Sequence, residues 1–139
     1  MGIGLVGVAS PAGAAGNGAV KQPLLANTGG DCFQGATSGT PIGNSFVILN
    51  KAGGNVSAEI HLQGAPANGQ WTIKLDQRPL EGCNPAVEGT ITTNGQGNGN
   101  AHVSEPVLPG NTGAFVRLIP VNAAAAPDGI IADAGADLS

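Results

Sequence analysis

Two histidines, two cysteines and nine carboxylates are the groups in this 139-residue chain whose types and spacing bear on chemistry. His61 lies two positions from Glu59, so on a strand both side chains share one face. His102 would complete a metal-binding set if its strand ran beside theirs, because imidazole and carboxylate together suit a transition metal. The chain has no other histidine to add, and outward histidines on strands ordinarily titrate in solvent. The expectation is therefore no metal and no cofactor, with His61, His102 and Glu59 as the nearest candidates.

Glycoside hydrolysis requires two carboxyl groups flanking the scissile bond at a set separation. Glu59, Asp76, Glu81, Glu88 and Glu105 are spread along the chain, and nothing in the sequence brings two of them together. A Ser/His/Asp or Cys/His motif for nucleophilic catalysis is also missing. The chain is expected not to be an enzyme. Cys32 and Cys83 have no C-x-x-C spacing and no nearby histidine, so one disulfide is their expected state. Closing a loop of about 50 residues stabilises a fold by about 4 kcal/mol when it acts through chain entropy.

The stretch GTITTNGQGNGNAHV, residues 89–103, sets Gly95, Gly97 and Gly99 at alternate positions. A dinucleotide fingerprint needs G-x-G-x-x-G between a strand and a helix, and a P-loop needs Gly-Lys-Ser/Thr. Neither pattern is present. The stretch reads as a hairpin in which Asn94-Gly95 and Asn98-Gly99 tolerate positive φ. It would set Ile91 opposite Val103 and Thr92 opposite His102. Loop 94–100 holds asparagines but no carboxylate, a poor donor set for calcium.

The elements that must position these groups are short strands. Val56 to Gln63 alternates apolar Val56, Ala58, Ile60 and Leu62 with polar Ser57, Glu59, His61 and Gln63, the pattern of a half-buried strand. QWTIKLD, residues 70–76, alternates in the same way and turns Trp71, Ile73 and Leu75 inward. An inward Trp71 and the lack of tyrosine argue against a lectin that stacks sugars on exposed aromatics. Pairing Gln63 with Gln70 would place Leu62 against Trp71 and Glu59 against Lys74, a register that keeps every face consistent. SFVILN, residues 45–50, precedes KAGGN and completes an expected three-strand meander. Further strands are expected in residues 86–93, 100–107, 113–121 and 129–135. AVKQPLL, residues 19–25, is expected as an edge strand because Pro23 cannot donate to a ladder. NAAAAPDG, residues 122–129, allows one helical turn at most. The expected fold is all-β, an antiparallel Greek-key-like β-sandwich of about seven to eight short strands.

Charge narrows the partners. The net charge is −4, and Lys21, Lys51, Lys74, Arg78 and Arg117 are scattered rather than gathered into the basic stripe that nucleic acid requires. No apolar run approaches the roughly 20 residues of a membrane-spanning helix. Only 10% of residues are charged, against about 25% in typical globular domains, so Asn, Gln, Thr and Ser must solvate the surface. MGIGLVGVASPAGAAG has a short apolar run ended by Pro11, then Ala12-Gly13-Ala14, which fits small-x-small cleavage, although no basic residue precedes the run. Residues 1–14 are expected as a signal-peptide remnant or flexible leader, and residues 15–139 as a single domain.

GGNVSAEIHLQGAPANGQWTIKL, the following cysteine loop, EGTITTNGQGNGNAHV and TGAFVRLIPV together resemble small secreted bacterial sandwiches of the superoxide-dismutase-like and chordin-repeat type. The resemblance spans residues 43–121. It implies a sandwich and secretion. Copper/zinc dismutases carry copper-binding histidines in a Gly-Phe-His-Val-His run; with Trp71 aligned to that phenylalanine, Thr72 and Lys74 occupy the histidine positions. The resemblance therefore implies architecture without dismutase chemistry. The expected function is that of a secreted, non-enzymatic structural or interaction module at the cell surface, with an unidentified protein or surface partner or self-association through edge strands. The alternative is an extracellular module that binds a glycan or metal ion in the loops at one end.

Overall fold

The computed structural model describes residues 18–26, 36, 38–79 and 87–138. Residues 1–14, Cys32, Cys83 and Glu81 lie outside the described residues, and with them the expected leader and disulfide.

The fold is all-β. Its strands are β1 (Val20–Ala26), β2 (Thr40–Ala52), β3 (Asn55–Leu62), β4 (Gln70–Arg78), β5 (Val87–Thr92), β6 (Gly99–Pro106), β7 (Gly113–Pro120), β8 (Ile131–Ala132) and β9 (Ala136–Asp137). The alanine run ends in a single 3-10 turn at Ala126–Asp128. No helix among the described residues is long and apolar enough to cross a membrane. Every ladder between strands is antiparallel, in the order β5-β4-β7-β8-β1-β2-β3-β6, with β9 also on β7. The two ends of that path, β5 and β6, are joined by one tight loop and lie side by side. A Cβ placed at Gly89 in β5 would stand 3.5 Å from Val103 of β6. The sheet thus curls nearly into a barrel.

Alternation decides what the barrel encloses. Val56, Ala58, Ile60 and Leu62 of β3, Trp71, Ile73 and Leu75 of β4, and Ala114, Val116 and Leu118 of β7 all point inward and are buried together. Trp71 is the largest of these side chains and is fully enclosed. Its indole lies against Gly69, where any Cβ would collide with the ring. At Gly53 and Gly54 the chain turns from β2 into β3 with φ of 61° and 82°. Positive φ at both central residues is what a two-residue hairpin needs to match strand twist.

Three expected pairings are corrected. First, β3 does not form a hairpin with β4: Ala58 pairs with Leu49 of β2 and Val103 of β6, whereas Trp71 pairs with Ile91 of β5 and Pro120 of β7. Alternation fixes which face a residue takes, and an inward Leu62 and inward Trp71 are equally served by strands on opposite walls of one core. The meander is β1-β2-β3 instead. Second, β5 and β6 adjoin without the Ile91–Val103 and Thr92–His102 pairs; His102 stands opposite Glu59. Third, β1 is interior rather than an edge, lying between β2 and β8. Pro23 is accommodated because the β1–β8 ladder contains only Leu25–Ala132 and Ala26–Ile131, so no bond from position 23 is required there.

Candidate functional site

Two shallow grooves meet at Gln63, just beyond β3. One, of about 550 Å³, has Pro23, Pro41 and Phe46 as its apolar lining and Lys21, Asn44 and Gln63 as polar lining. The other, of about 450 Å³, is lined by Gln63 with Asn94, Asn98 and Asn100, over Leu62 and Gly99. Neither lining contains a carboxylate.

The walls are fixed from beneath. At the start of β2 the chain approaches the end of β3 so closely that a Cβ at Gly43, where φ is 52°, would overlap the Gln63 carbonyl. The Asn44 N–H donates to that carbonyl at 3.1 Å. Buried Ser45 closes the junction. Its hydroxyl accepts the Gln63 N–H at 2.8 Å and donates to the Gln63 carbonyl at 3.3 Å. The second groove is held through Thr93, whose hydroxyl accepts the Gly69 N–H at 2.9 Å and donates to Pro66 at 2.6 Å. Ala65 N–H donates to Gly97 and Asn68 N–H to Asn94, which binds the β3–β4 loop to the β5–β6 loop.

The glycine-rich stretch therefore forms a wall of this site. Within it, positive φ falls on Gly97 alone, at 81°, not on the Asn-Gly pairs that the sequence suggested. The Asn94 carboxamide instead shapes the turn by accepting the N–H groups of Gln96 and Asn98 at 2.9 and 3.0 Å. A short polar side chain that bonds its own backbone two residues on is a common turn former.

Next to the first groove, three strands contribute to one outer-face array. Phe46 stands opposite His61 in the β2–β3 ladder, and their rings stack at 4.7 Å with planes 20° apart. Lys21 of β1, the strand on the other side of β2, reaches the same ring, its Nζ 4.2 Å from the centroid. A cation over an aromatic face gains about 0.5–1 kcal/mol at exposed sites. His61 is thus packed against a ring rather than held in open solvent.

Of the metal candidates, Glu59 and His102 face each other across β3 and β6, with His102 Nδ1 3.6 Å from Glu59 Oε1. Both are about half exposed, and such a contact contributes little. His61 stands opposite Asn100 and turns to Phe46. Among the described residues no three His, Cys, Asp or Glu side chains gather as a metal-binding set.

Three other carboxylates serve the fold. Asp76 receives Arg117 in a two-pronged contact, 3.1 Å from Nε and 3.3 Å from Nη2, with the carboxylate almost fully buried. Glu105 accepts the Gln77 amide at 2.6 Å. Asp133 is buried, and burial pushes its carboxyl up to about 7 despite N–H donors from Val116 and Gly135 and the charge of Arg78. The sequence gives no sign of the contacts Asp76–Arg117, Glu105–Gln77 and Asp133–Val116, because each joins residues far apart along the chain.

Thr72 and Lys74, at the positions of the dismutase histidines, lie on the outer face of β4, with Lys74 opposite Arg117. No family model, curated protein or solved structure matches the chain.

Proposed function

We propose that the chain is a secreted, non-enzymatic interaction module whose binding surface is the pair of grooves meeting at Gln63. The observation that carries this reading is the contrast between its polar groups. Asp76, Glu105 and Asp133 are engaged internally, whereas Asn44, Gln63, Asn98 and Asn100 line open grooves on a braced backbone. Neutral amides on rigid walls recognise and orient a ligand without supplying an acid or base.

The Greek-key-like sandwich is part of the same proposal. β5 lies between β4 and β6, and β7 returns to pair with β4, giving the spatial order β7-β4-β5-β6. With β6 counted beside β5, to which no ladder joins it, that order would match a Greek key, the arrangement that the superoxide-dismutase-like or chordin-repeat resemblance implies. Secretion is supported by the leader-like residues 1–14 and the low charge.

The test is titration of the full chain with calcium, zinc, copper, oligosaccharides and peptides while backbone amides are followed by NMR. Saturable shifts confined to Asn44, Gln63, Asn100 and their neighbours are expected. Shifts centred elsewhere, chemical turnover of any probe, or no response across the panel would overturn the proposal.

A second reading, self-association through strand edges, is favoured by one observation: the seam between β1 and β8 is only two residue pairs long. Sedimentation velocity distinguishes the two. A reversible dimer that persists when Gln63 is replaced would favour assembly, and a monomer at high concentration would exclude it.

A further inference from the structure

Resting on the groove being the binding surface, we infer that its ligand is an extended acidic glycan, a chain of sugars bearing carboxylates, seated across Gln63 with a carboxylate near Lys21. Three features lead to this class. Carboxamides both donate and accept hydrogen bonds, as sugar hydroxyls do, and Asn44, Gln63, Asn98 and Asn100 bring four of them to the two grooves. Pro23 and Pro41 supply apolar surface suited to the C–H faces of a sugar ring. Lys21 is the single charged group in either lining, and an ammonium binds a carboxylate through charge-assisted hydrogen bonds.

Other ligand classes fit less well. A peptide that binds by strand addition needs an open ladder edge, but where β2 lines the groove, at residues 43–45, its ladders to β1 and β3 are interrupted and its bonds run to Gln63 instead. A proline-rich peptide needs aromatic faces, and those of Phe46 are taken by Lys21 and His61. Nucleic acid requires several cations along its backbone, whereas the grooves offer one. Bound divalent metal requires carboxylate or imidazole donors, and the grooves are lined by neither.

Two grooves that share Gln63 imply a chain longer than one sugar. Affinity should rise from a uronic-acid disaccharide to the hexasaccharide, as the longer chain reaches from Lys21 to Asn100.

The test uses isothermal titration of the full chain with oligogalacturonate hexasaccharide and disaccharide and with a neutral glucose hexasaccharide. The acidic hexasaccharide should bind tightest. Lys21→Met should weaken it about fivefold, the size of an exposed ion pair, and weaken the neutral hexasaccharide by less. Asn100→Ala should reduce the advantage of hexasaccharide over disaccharide without affecting the disaccharide. Both positions are exposed, and unchanged melting will show that the variants fold. Equal binding of acidic and neutral chains, or Lys21→Met without effect, overturns the inference. So does binding of a peptide at Gln63 with no oligosaccharide binding, although the groove would then remain the site. Oligosaccharide shifts centred away from Gln63 overturn both readings.

Discussion

The Asp133 carboxylate takes the place of a strand: its Oδ1 accepts the Val116 N–H at 2.6 Å, one residue beyond the last β7–β8 ladder pair. Its Oδ2 accepts the Gly135 N–H at 2.7 Å, so one side chain links β8 to the turn into β9. Arg78 braces the same turn by donating to the Ala134 carbonyl at 2.6 Å.

Asp133 gives the fold a signed pH dependence. Burial raises its carboxyl from 3.8 to about 7, so between these values the folded chain holds a proton that the unfolded chain releases. The unfolding free energy therefore falls as pH rises from about 4 to 7, by on the order of 4 kcal/mol in total. Asp133→Asn keeps an acceptor for Val116 and cannot ionise. Chemical denaturation across pH should show the variant less stable than the parent at acid pH, with the gap narrowing or reversing by neutrality. Parallel pH profiles would refute the assignment.

Trp71 is the centre of the core, yet its indole nitrogen has no hydrogen-bond partner. Trp71→Phe should cost less than Trp71→Ala, for which about 3–5 kcal/mol is expected. Gly69→Ala should act on the same contact, since the added methyl meets the ring. Denaturation midpoints and near-ultraviolet circular dichroism would check both; a harmless Gly69→Ala would show that the indole is free to move.

Removing Arg117 leaves Asp76 as a buried carboxylate without its cation. Arg117→Met should destabilise by about 3–5 kcal/mol, whereas replacing both residues with apolar ones should cost much less. The measurement is a double-mutant cycle by urea unfolding. Additive costs would show that the two side chains are not coupled.

The parts of the fold legible in sequence were those governed by neighbouring residues. Alternation in Val56–Leu62 and Trp71–Leu75 identified strands and their buried faces, and Gly53-Gly54 identified a hairpin. Partner choice was not legible, because Ala58 is equally satisfied beside Leu75 or Val103. Pro23 suggested an edge, but the shortness of β8 removed the constraint. The site was less visible still. Lys21, Phe46 and His61 come from three strands, and Gln63 was only the last polar residue of an alternating run. The glycine-rich stretch is legible as a connection between two strands, but its hairpin pairing is not formed, its positive φ falls on Gly97, and its role as a groove wall depends on contacts with residues 65–69.

Gln77 supplies a further pH test because its buried amide uses both ends. Nε2 donates to Glu105 Oε2 at 2.6 Å and to the Pro106 carbonyl at 2.9 Å, while Oε1 accepts from Leu108 N–H at 2.9 Å and Asn111 Nδ2 at 2.8 Å. One side chain thus anchors the β6–β7 loop to β4. Gln77→Glu preserves shape but sets a second carboxylate against Glu105 and a carbonyl. Like charges at that distance raise the folded-state pKa of the pair, so the proton is held in the folded chain after the unfolded chain has lost it. The variant should therefore approach parental stability below about pH 4 and lose several kcal/mol as pH rises toward neutrality. Paired urea titrations at acid and neutral pH would measure this. A deficit independent of pH would mean that the loss came from geometry rather than charge.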